Sequence, residues 1–472
     1  MNLHRALRLN LDPERPDVIS IVGGGGKSST VFRIGRELAA TGRRAVITHT
    51  ARIAAFQTAW APAVIEVDAS ASSAASAATV SVLPYAQIAA ALDAHGVCLL
   101  TGPIVADRRA GLPPHLINGL VAAAPQLGLH AISIEADGSK MRPAKAPADH
   151  EPVLPTSTTV LVPMLGLDAI GAEIDDRLFH RAELVRRLLD LQGEDSARFT
   201  PRMAASLLTS SEAGAKDLPP EARLLPIFNK ADHPLRLLYG RLAAARLALR
   251  GQPSLLTAAG QGESEPVIER WGALATVILA AGASTRFGRP KQLEPVAGEP
   301  LLLHALRVAA GLPGPVYVVV GAHYEAVMAL LDRLLSGAAA QLRGRVHVVH
   351  NEVWAQGQSS SLHASVRALP SHVDAAIWMP VDQPYLDAAL PARLAAAWRL
   401  GADLVAPVAD GEVRGAPALF DRSRWPALLQ VEGDAGGRAV LRRFAAEVVT
   451  VPAEAASLRD IDSPDDLSTN PA

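Results

Sequence analysis

Short apolar runs recur along the 472 residues, with amphipathic stretches between them. DVISIV, RRAVITHT, GVCLLT, HAISIE, TTVLVP and RLLPIF come first, and ATVILA, VYVVVG, HVVH, AAIWMP and DLVAPV follow. These runs are strand-sized, and the helix-period segments separating them predict parallel sheets wrapped by helices. DVISIV and ATVILA each pass straight into a glycine-rich turn and then a helical pattern. After DVISIV, Val31, Ile34 and Leu38 share one helix face. The two turns differ chemically and no internal repeat relates the halves, so the pattern predicts a fusion of two α/β domains. The polar stretch GQGESEP at 260–266 marks the division. Residues 1–262 are expected to form one domain, 263–274 a linker containing the short helix-like VIERWGAL, and 275–472 a second domain. ASASSAASAATVSV, at 69–82, is small-residue sequence that reads as a surface loop or weak helix and carries no functional expectation.

Composition narrows the classes of function. Lys and Arg number 45 against 47 Asp and Glu, a net charge of -2, so no global field favours nucleic acid or an anionic membrane, and any anionic ligand must be bound locally. The single cysteine, Cys98, cannot form an intramolecular disulfide, and within the apolar run GVCLL it reads as a buried structural thiol. The stretch MNLHRALRLNLDPERPDV lacks the apolar centre of a secretory signal. No run approaches the ~18 apolar residues of a membrane helix. A cytoplasmic protein is expected.

The most informative segment is ATVILAAGASTRFGRPKQL, at 275–293. Ala280, Ala281 and Gly282 let the backbone approach a ligand closely, and Arg286 and Lys291 add two cations beside these amides. Such a set suits a triphosphate; a plain Gly/Ala-rich turn with two solvated charges is the alternative. AAIWMP runs into VDQPYL and puts Asp382 just past a strand end, where α/β sheets bind ligands. A carboxylate there suits Mg²⁺, or simply caps the next helix. In RDIDSPDDL, Asp462 is preferred over Asp460 as a second metal ligand, with helix capping as its alternative. NEVWAQGQSSSL brings Gly357 and Ser359, Ser360 and Ser361 to a helix start suited to base, ribose or phosphate. Arg414 with Gly415 and Pro417, and Asp434 with Arg438, look like an acceptor-side rim, although turn chemistry explains the glycines equally well.

LAAGASTRFGRPKQL, MPVDQPYL, WAQGQSSSL, RGAPALF, GDAGGR and DIDSPDDL, in this order, resemble the molybdenum cofactor cytidylyltransferases over about 200 residues. The resemblance implies a Rossmann-like nucleotidyltransferase fold, Mg²⁺ as cofactor, and CTP and Mo-molybdopterin as substrates. The products would be molybdopterin cytosine dinucleotide, which serves molybdenum hydroxylases, and pyrophosphate. It further implies that Ala280, Ala281, Gly282 and Ser284 meet the nucleotide, Arg286 and Lys291 the triphosphate, and Asp382 the metal. Related guanylyltransferases prefer LAGG where this chain reads LAAG, which favours CTP over GTP. Phe287 replaces the Met common before Gly288, and a packing change without a change of reaction is expected.

In the first half, DVISIV leads into GGGGKSST, which resembles a P-loop with Gly24 and Gly26 in the loop, Lys27 for the outer phosphates and Ser28 for Mg²⁺. Ile21 stands where the first glycine of that motif belongs, and a plain glycine-rich turn is the alternative. HAISIEADGSK places Glu135 and Asp137 past a strand end, with Asp137 the expected metal contact. Asn229, Lys230 and Asp232 form an N-K-x-D arrangement that suits guanine, so GTP or ATP is the expected ligand. With EADGSKMRPAKAPADHEP and the Thr48–Thr50 strand end, these motifs resemble the YqeC family over roughly residues 15–235. That family is associated with maturation of selenium-dependent molybdenum hydroxylases, which implies a client hydroxylase as partner. Lys140, Arg142, Lys145 and His150 form a Pro-stiffened basic loop that faces either an anionic cofactor or solvent.

Overall fold

The computed structural model describes residues 1–68, 83–193, 196–260 and 265–467. The low-complexity stretch at 69–82 and residues 261–264 of the expected boundary lie outside them. The chain divides into two compact units, Met1–Leu247 with Pro253–Trp271, and Ala248–Gln252 with Gly272–Ala472. Each is α/β, as the alternating runs predict.

In the first unit the strands are β1 (Asp17–Gly23), β2 (Arg44–His49), β3 (Val64–Glu66), β4 (Val97–Thr101), β5 (Leu129–Glu135), β6 (Val160–Gly166), β7 (Ile227–Asn229), β8 (Ser254–Thr257) and β9 (Val267–Trp271). Their order across the sheet is β9-β8-β7-β6-β1-β5-β2-β4-β3. All neighbours are parallel except β8 and β9. Continuous runs such as Val160–Gly166 are buried along their whole length, as strands covered on both faces must be. Helix α1 (Lys27–Ala40) buries Val31, Ile34 and Leu38 against this sheet. Cys98 is buried in β4, where desolvation pushes its thiol up to about 12, so it is inert structural packing.

The expected linker is not one. VIERW forms β9, an antiparallel edge strand on β8, with Val267 and Glu269 turned inward. Glu269 is buried because Arg241 donates to it at 2.8 Å and the Trp271 indole at 2.9 Å. The helix-like reading failed because a five-residue run shows period two only once its inward Glu is known to be paired. The division between the units falls at Trp271/Gly272.

The second unit has β10 (Ala273–Ala280), β11 (Val316–Val320), β12 (Val346–His350), β13 (Val373–Pro380), β14 (Leu404–Ala409), β15 (Ala418–Asp421) and β16 (Val448–Pro452). They lie in the order β12-β11-β10-β13-β15-β14, with β16 parallel to β14. This sheet is mixed where a parallel one was expected: β15, from RGAPALF, runs antiparallel between β13 and β14. The inserted strand is fixed by Asp421, which is buried and accepts from the Trp398 indole at 2.7 Å. Cores cover both faces of the sheet, one around Leu302, Leu306 and Leu331, the other around Leu362, Phe420 and Trp425.

Candidate functional site

In the second unit the direction of strand addition reverses at β10, which has β11 on one side and β13 on the other. The carboxyl ends of β10 and β13 therefore open a crevice of the kind that binds ligands in α/β sheets. The backbone past β10 is held from beneath by buried Gln292, whose side-chain amide donates to the carbonyls of Ala280 and Gly282, both at 2.9 Å. Ser284, at φ 55°, closes the turn by accepting from the Lys291 amide at 3.2 Å. Phe287 packs into a small cluster with Val296, Leu301 and Ile461. This ties the loop to the segment bearing Asp460 and Asp462.

The Lys291 ammonium contacts Asp382 Oδ2 and lies 3.6 Å from Asp462 Oδ1. Arg286, 81% exposed, reaches the other oxygen of Asp462 at 3.4 Å. Asp460, the acid that the sequence reading ranked below Asp462, is in the same group. Gln383 donates to it at 3.0 Å, and the Ile461 amide donates to the Asp382 carbonyl at 2.9 Å. Burial first, then the negative charge of Asp382 and of Asp462, pushes the Asp460 carboxyl above its usual range. Among the described residues Asp382 Oδ1, which is buried, has no hydrogen-bond partner. Among the described residues no three His, Cys, Asp or Glu side chains form a ready metal cage.

These groups line a cavity of about 1160 Å³, shared with Ala281, Trp354, Gly357, Arg414, Arg438 and Arg442. Gly357 is required by geometry: φ is 100° and a Cβ would fall 2.6 Å from the Gly433 carbonyl oxygen. Helix α2 (Gln358–Ala368) starts there. Ser360, expected at the nucleotide, is instead buried in the wall, donating to the Gly357 carbonyl at 2.8 Å and accepting from Asn351 at 2.8 Å. Ser284 likewise shapes its loop and is absent from the lining, whereas Ala280, Ala281, Gly282, Arg286, Lys291, Asp382 and Asp462 are present in it. Sequence reasoning passed over Gln292, Gln383, Trp354 and Arg442.

In the first unit the glycine turn follows β1, between β6 and β5. Its amides bond within the protein: Gly23 to Asp137 at 3.0 Å, Gly24 to the Met164 carbonyl at 2.8 Å and Gly25 to the Arg142 carbonyl at 3.1 Å. Gly26, at φ 126°, caps helix α1. Lys27 is buried, donating to the Gly23 carbonyl at 2.7 Å and lying 3.3 Å from Asp137. Ser28 donates to Glu135 at 2.7 Å, so the carboxylate beside the expected metal hydroxyl is Glu135 and not Asp137. Asp137 is taken up by Gly23, Lys27 and Lys145.

Asn229 donates to the Gly25 carbonyl at 2.8 Å and accepts from Thr257 and Ala259, fastening the turn to β8. Lys230 pairs with Asp168 at 2.6 Å, and Asp232 is exposed beside Arg236. The loop read as uniformly basic is not: Lys145 is buried between Asp137 at 2.9 Å and Glu151 at 2.7 Å. Arg142 reaches Asp176 at 3.7 Å. His49, in the Thr48–Thr50 strand end, is buried and bonded on both ring nitrogens. Burial lowers it to about 4, which keeps it neutral.

Residues 276–448 match the family model for the MobA-like NTP transferase domain, and residues 19–183 match that for the YqeC protein. The YqeC protein of Escherichia coli (strain K12) is 29% identical over 217 residues, which are 46% of this chain and 77% of that protein. A 2-C-methyl-D-erythritol 4-phosphate cytidylyltransferase of Salinibacter ruber is 34% identical over 145 residues, 30% of this chain and 58% of that enzyme. Bifunctional GlmU proteins match at 31–34% identity over 131–135 residues, and the chain spans about a quarter of their length. Among solved structures, the manganese complex of Rv0371C from Mycobacterium tuberculosis is 23% identical, with a TM-score of 0.31, covering 41% of this chain and 96% of that one. Among the described residues no helix is long and apolar enough to cross a membrane.

Glu151 gives the first unit a pH dependence. Burial works to raise its carboxyl, but the hydrogen bonds and charges of Arg181 and Lys145 outweigh burial and hold it at about 2, against an ordinary 4.5. A depressed folded value stabilises the fold above 4.5, and that stability is lost as pH falls from 4.5 towards 2. Glu151→Gln is expected to cost on the order of 3 kcal/mol at pH 7, with the gap to wild type closing over that window. Urea unfolding at several pH values checks this; a pH-independent gap contradicts it.

Proposed function

We propose that this fusion of a YqeC region with a MobA-like NTP transferase domain transfers CMP from CTP to the terminal phosphate of Mo-molybdopterin, giving molybdopterin cytosine dinucleotide and pyrophosphate. The observation that carries the reading is the convergence of Lys291, Arg286, Asp382 and Asp462 at the open ends of β10 and β13, on one cavity. The NTP transferase match supports nucleotidyl transfer, and the named cytidylyltransferase relative supports CTP.

Mg²⁺ suits the residues present. Among the described residues Asp382 Oδ1 is a buried oxygen without a hydrogen-bond partner, and burial, with the charges of Asp382 and Asp462, raises Asp460, a set whose charge a hard cation would balance. Asp382 and Asp462 would hold the ion, which when bound neutralises charge on the pyrophosphate leaving group. The chain's own groups do the rest. Lys291 and Arg286 attract the triphosphate, and the 280–282 backbone, held by Gln292, positions it. An oxygen of the acceptor phosphate attacks the α-phosphorus in line, forming one P–O bond as the bond to the β-phosphate oxygen breaks. That nucleophile is ionised at neutral pH, so positioning and charge neutralisation supply the catalysis without a general base.

The Salinibacter relative's name favours a second reading, an alditol phosphate as acceptor. Incubating the full chain with CTP or GTP and with Mo-molybdopterin or an alditol phosphate, then weighing the dinucleotide product, decides between them. Lys291→Ala and Asp382→Ala are each expected to lower turnover by about a hundredfold or more with an unchanged circular dichroism spectrum. A fully active variant refutes the assignment.

For the first unit we propose an NTP-binding accessory role, for GTP or ATP, in maturing a client molybdenum hydroxylase. The glycine turn with Lys27 and Ser28 beside Glu135, fastened by Asn229, supports it. A triphosphate would have to exchange for the contacts that Lys27 and the turn amides make within the protein. Lys27→Ala should abolish GTP and ATP binding to the full chain, read by calorimetry, while CTP transfer is unchanged. Undiminished binding rules out the turn as the nucleotide site.

A further inference from the structure

The cavity in the second unit is lined by two groups of charged side chains. At the ends of β10 and β13, two cations, Lys291 and Arg286, face three carboxylates, Asp382, Asp460 and Asp462. That group has no spare positive charge of its own. The second group lies on the short helix Arg438–Arg443, whose Arg438 and Arg442, four residues apart and so on one helix face, line the same cavity, as does Asp434.

Among the described residues neither of these two guanidinium groups has a hydrogen bond or an ion pair. Nearby arginines are engaged: Arg414 lies 3.6 Å from both Asp410 and Glu412, Arg459 lies 3.4 Å from Asp466, and Arg443 donates to Gln430 at 2.8 Å. The stem of Arg438 is also seated. It lies across Gly415, where a Cβ would come within 3.0 Å of Arg438 Cβ and 3.4 Å of its Cδ. Buried Val440 and Leu441 anchor the helix, and Gly437 rests on the Phe420 ring. The two charges are therefore presented on a fixed element.

We infer that Arg438 and Arg442 form the subsite for the acceptor's phosphate, a monoester dianion, in the cavity that would also hold the triphosphate. The inference rests on the nucleotidyl-transfer reading above. The reaction brings this dianion against a triphosphate, and repulsion between them must be offset by cations that the triphosphate and its metal do not already use. Two guanidinium forks supply planar, paired donors matched to phosphate oxygens, which an ammonium does not. The selection of a phosphorylated acceptor belongs to this pair, and Gly415 is small so that the Arg438 side chain can cross it.

The test is steady-state kinetics of the full chain with saturating CTP and Mg²⁺ and varied Mo-molybdopterin. The Arg438→Ala/Arg442→Ala double variant should raise the acceptor KM by about tenfold or more, with kcat within about threefold and CTP affinity within about twofold. The Arg438→Lys/Arg442→Lys pair should recover only part of the loss. An unchanged acceptor KM, or a parallel loss of CTP affinity that places both arginines on the triphosphate, overturns the assignment. Should wild-type protein make no dinucleotide from these substrates, the transfer reading has failed separately. The subsite is then judged with phenyl phosphate, a plain monoester, whose binding to the full chain must weaken by about tenfold in the double alanine variant. Equal binding sinks the subsite.

Discussion

The candidate site depends on one ammonium group held between two carboxylates. Lys291 comes from the loop after β10, Asp382 from the end of β13 and Asp462 from the segment after β16, so this contact joins three stretches far apart in sequence. Lys291 and Asp382 are about 15% exposed, which limits screening by water. At about 4 Å and an effective dielectric near 20, the Lys291–Asp382 attraction is on the order of 4 kcal/mol before desolvation is subtracted, and water screens the half-exposed Asp462 more. The contact therefore orders the segments more than it stabilises the fold. Gln292, Gln383 and the Ile461 amide hold the surrounding backbone.

The first unit uses related chemistry in a tighter form. Lys27, Asp137, Lys145 and Glu151 make a chain of alternating charges in which only Glu151 retains appreciable contact with water. Each buried charge there has a partner of opposite sign, as the cost of desolvation demands. The glycine turn is drawn into the same network through Gly23, and its next two amides bond to carbonyls of neighbouring segments. One unit thus presents a roomy crevice with exposed cations, the other a turn whose polar groups are already occupied.

Much of this was legible in the sequence where the signal is local. Buried parallel strands are continuous apolar runs, and β1, β5, β6, β10, β11 and β13 all fall on runs read as strands. The motif around Ala280–Lys291 and the strand-end Asp382 were singled out from local sequence, and the structure brings them together on one cavity. What the sequence hid was pairing at a distance. Asp460 looked weaker than Asp462 because only the fold brings Gln383 and Asp382 to it. Lys145 looked like a surface charge until Asp137 and Glu151 met it. Ser360 looked like a ligand contact, but Asn351, nine residues earlier, claims its hydroxyl. The β9 strand was missed because its inward Glu269 breaks the apolar alternation and needs Arg241 to explain it.

Nucleotidyl transfer at this site requires that the Lys291 and Arg286 cluster, with the acids facing it, hold a pyrimidine nucleoside triphosphate. Equilibrium dialysis of radiolabelled CTP against the intact chain, with and without Mg²⁺, measures this directly in the wild type and in Arg286→Ala/Lys291→Ala. The account predicts saturable, Mg²⁺-dependent retention that the double variant loses. Retention of CTP to the same extent by the variant, or none by the wild type with Mg²⁺ supplied, would contradict it.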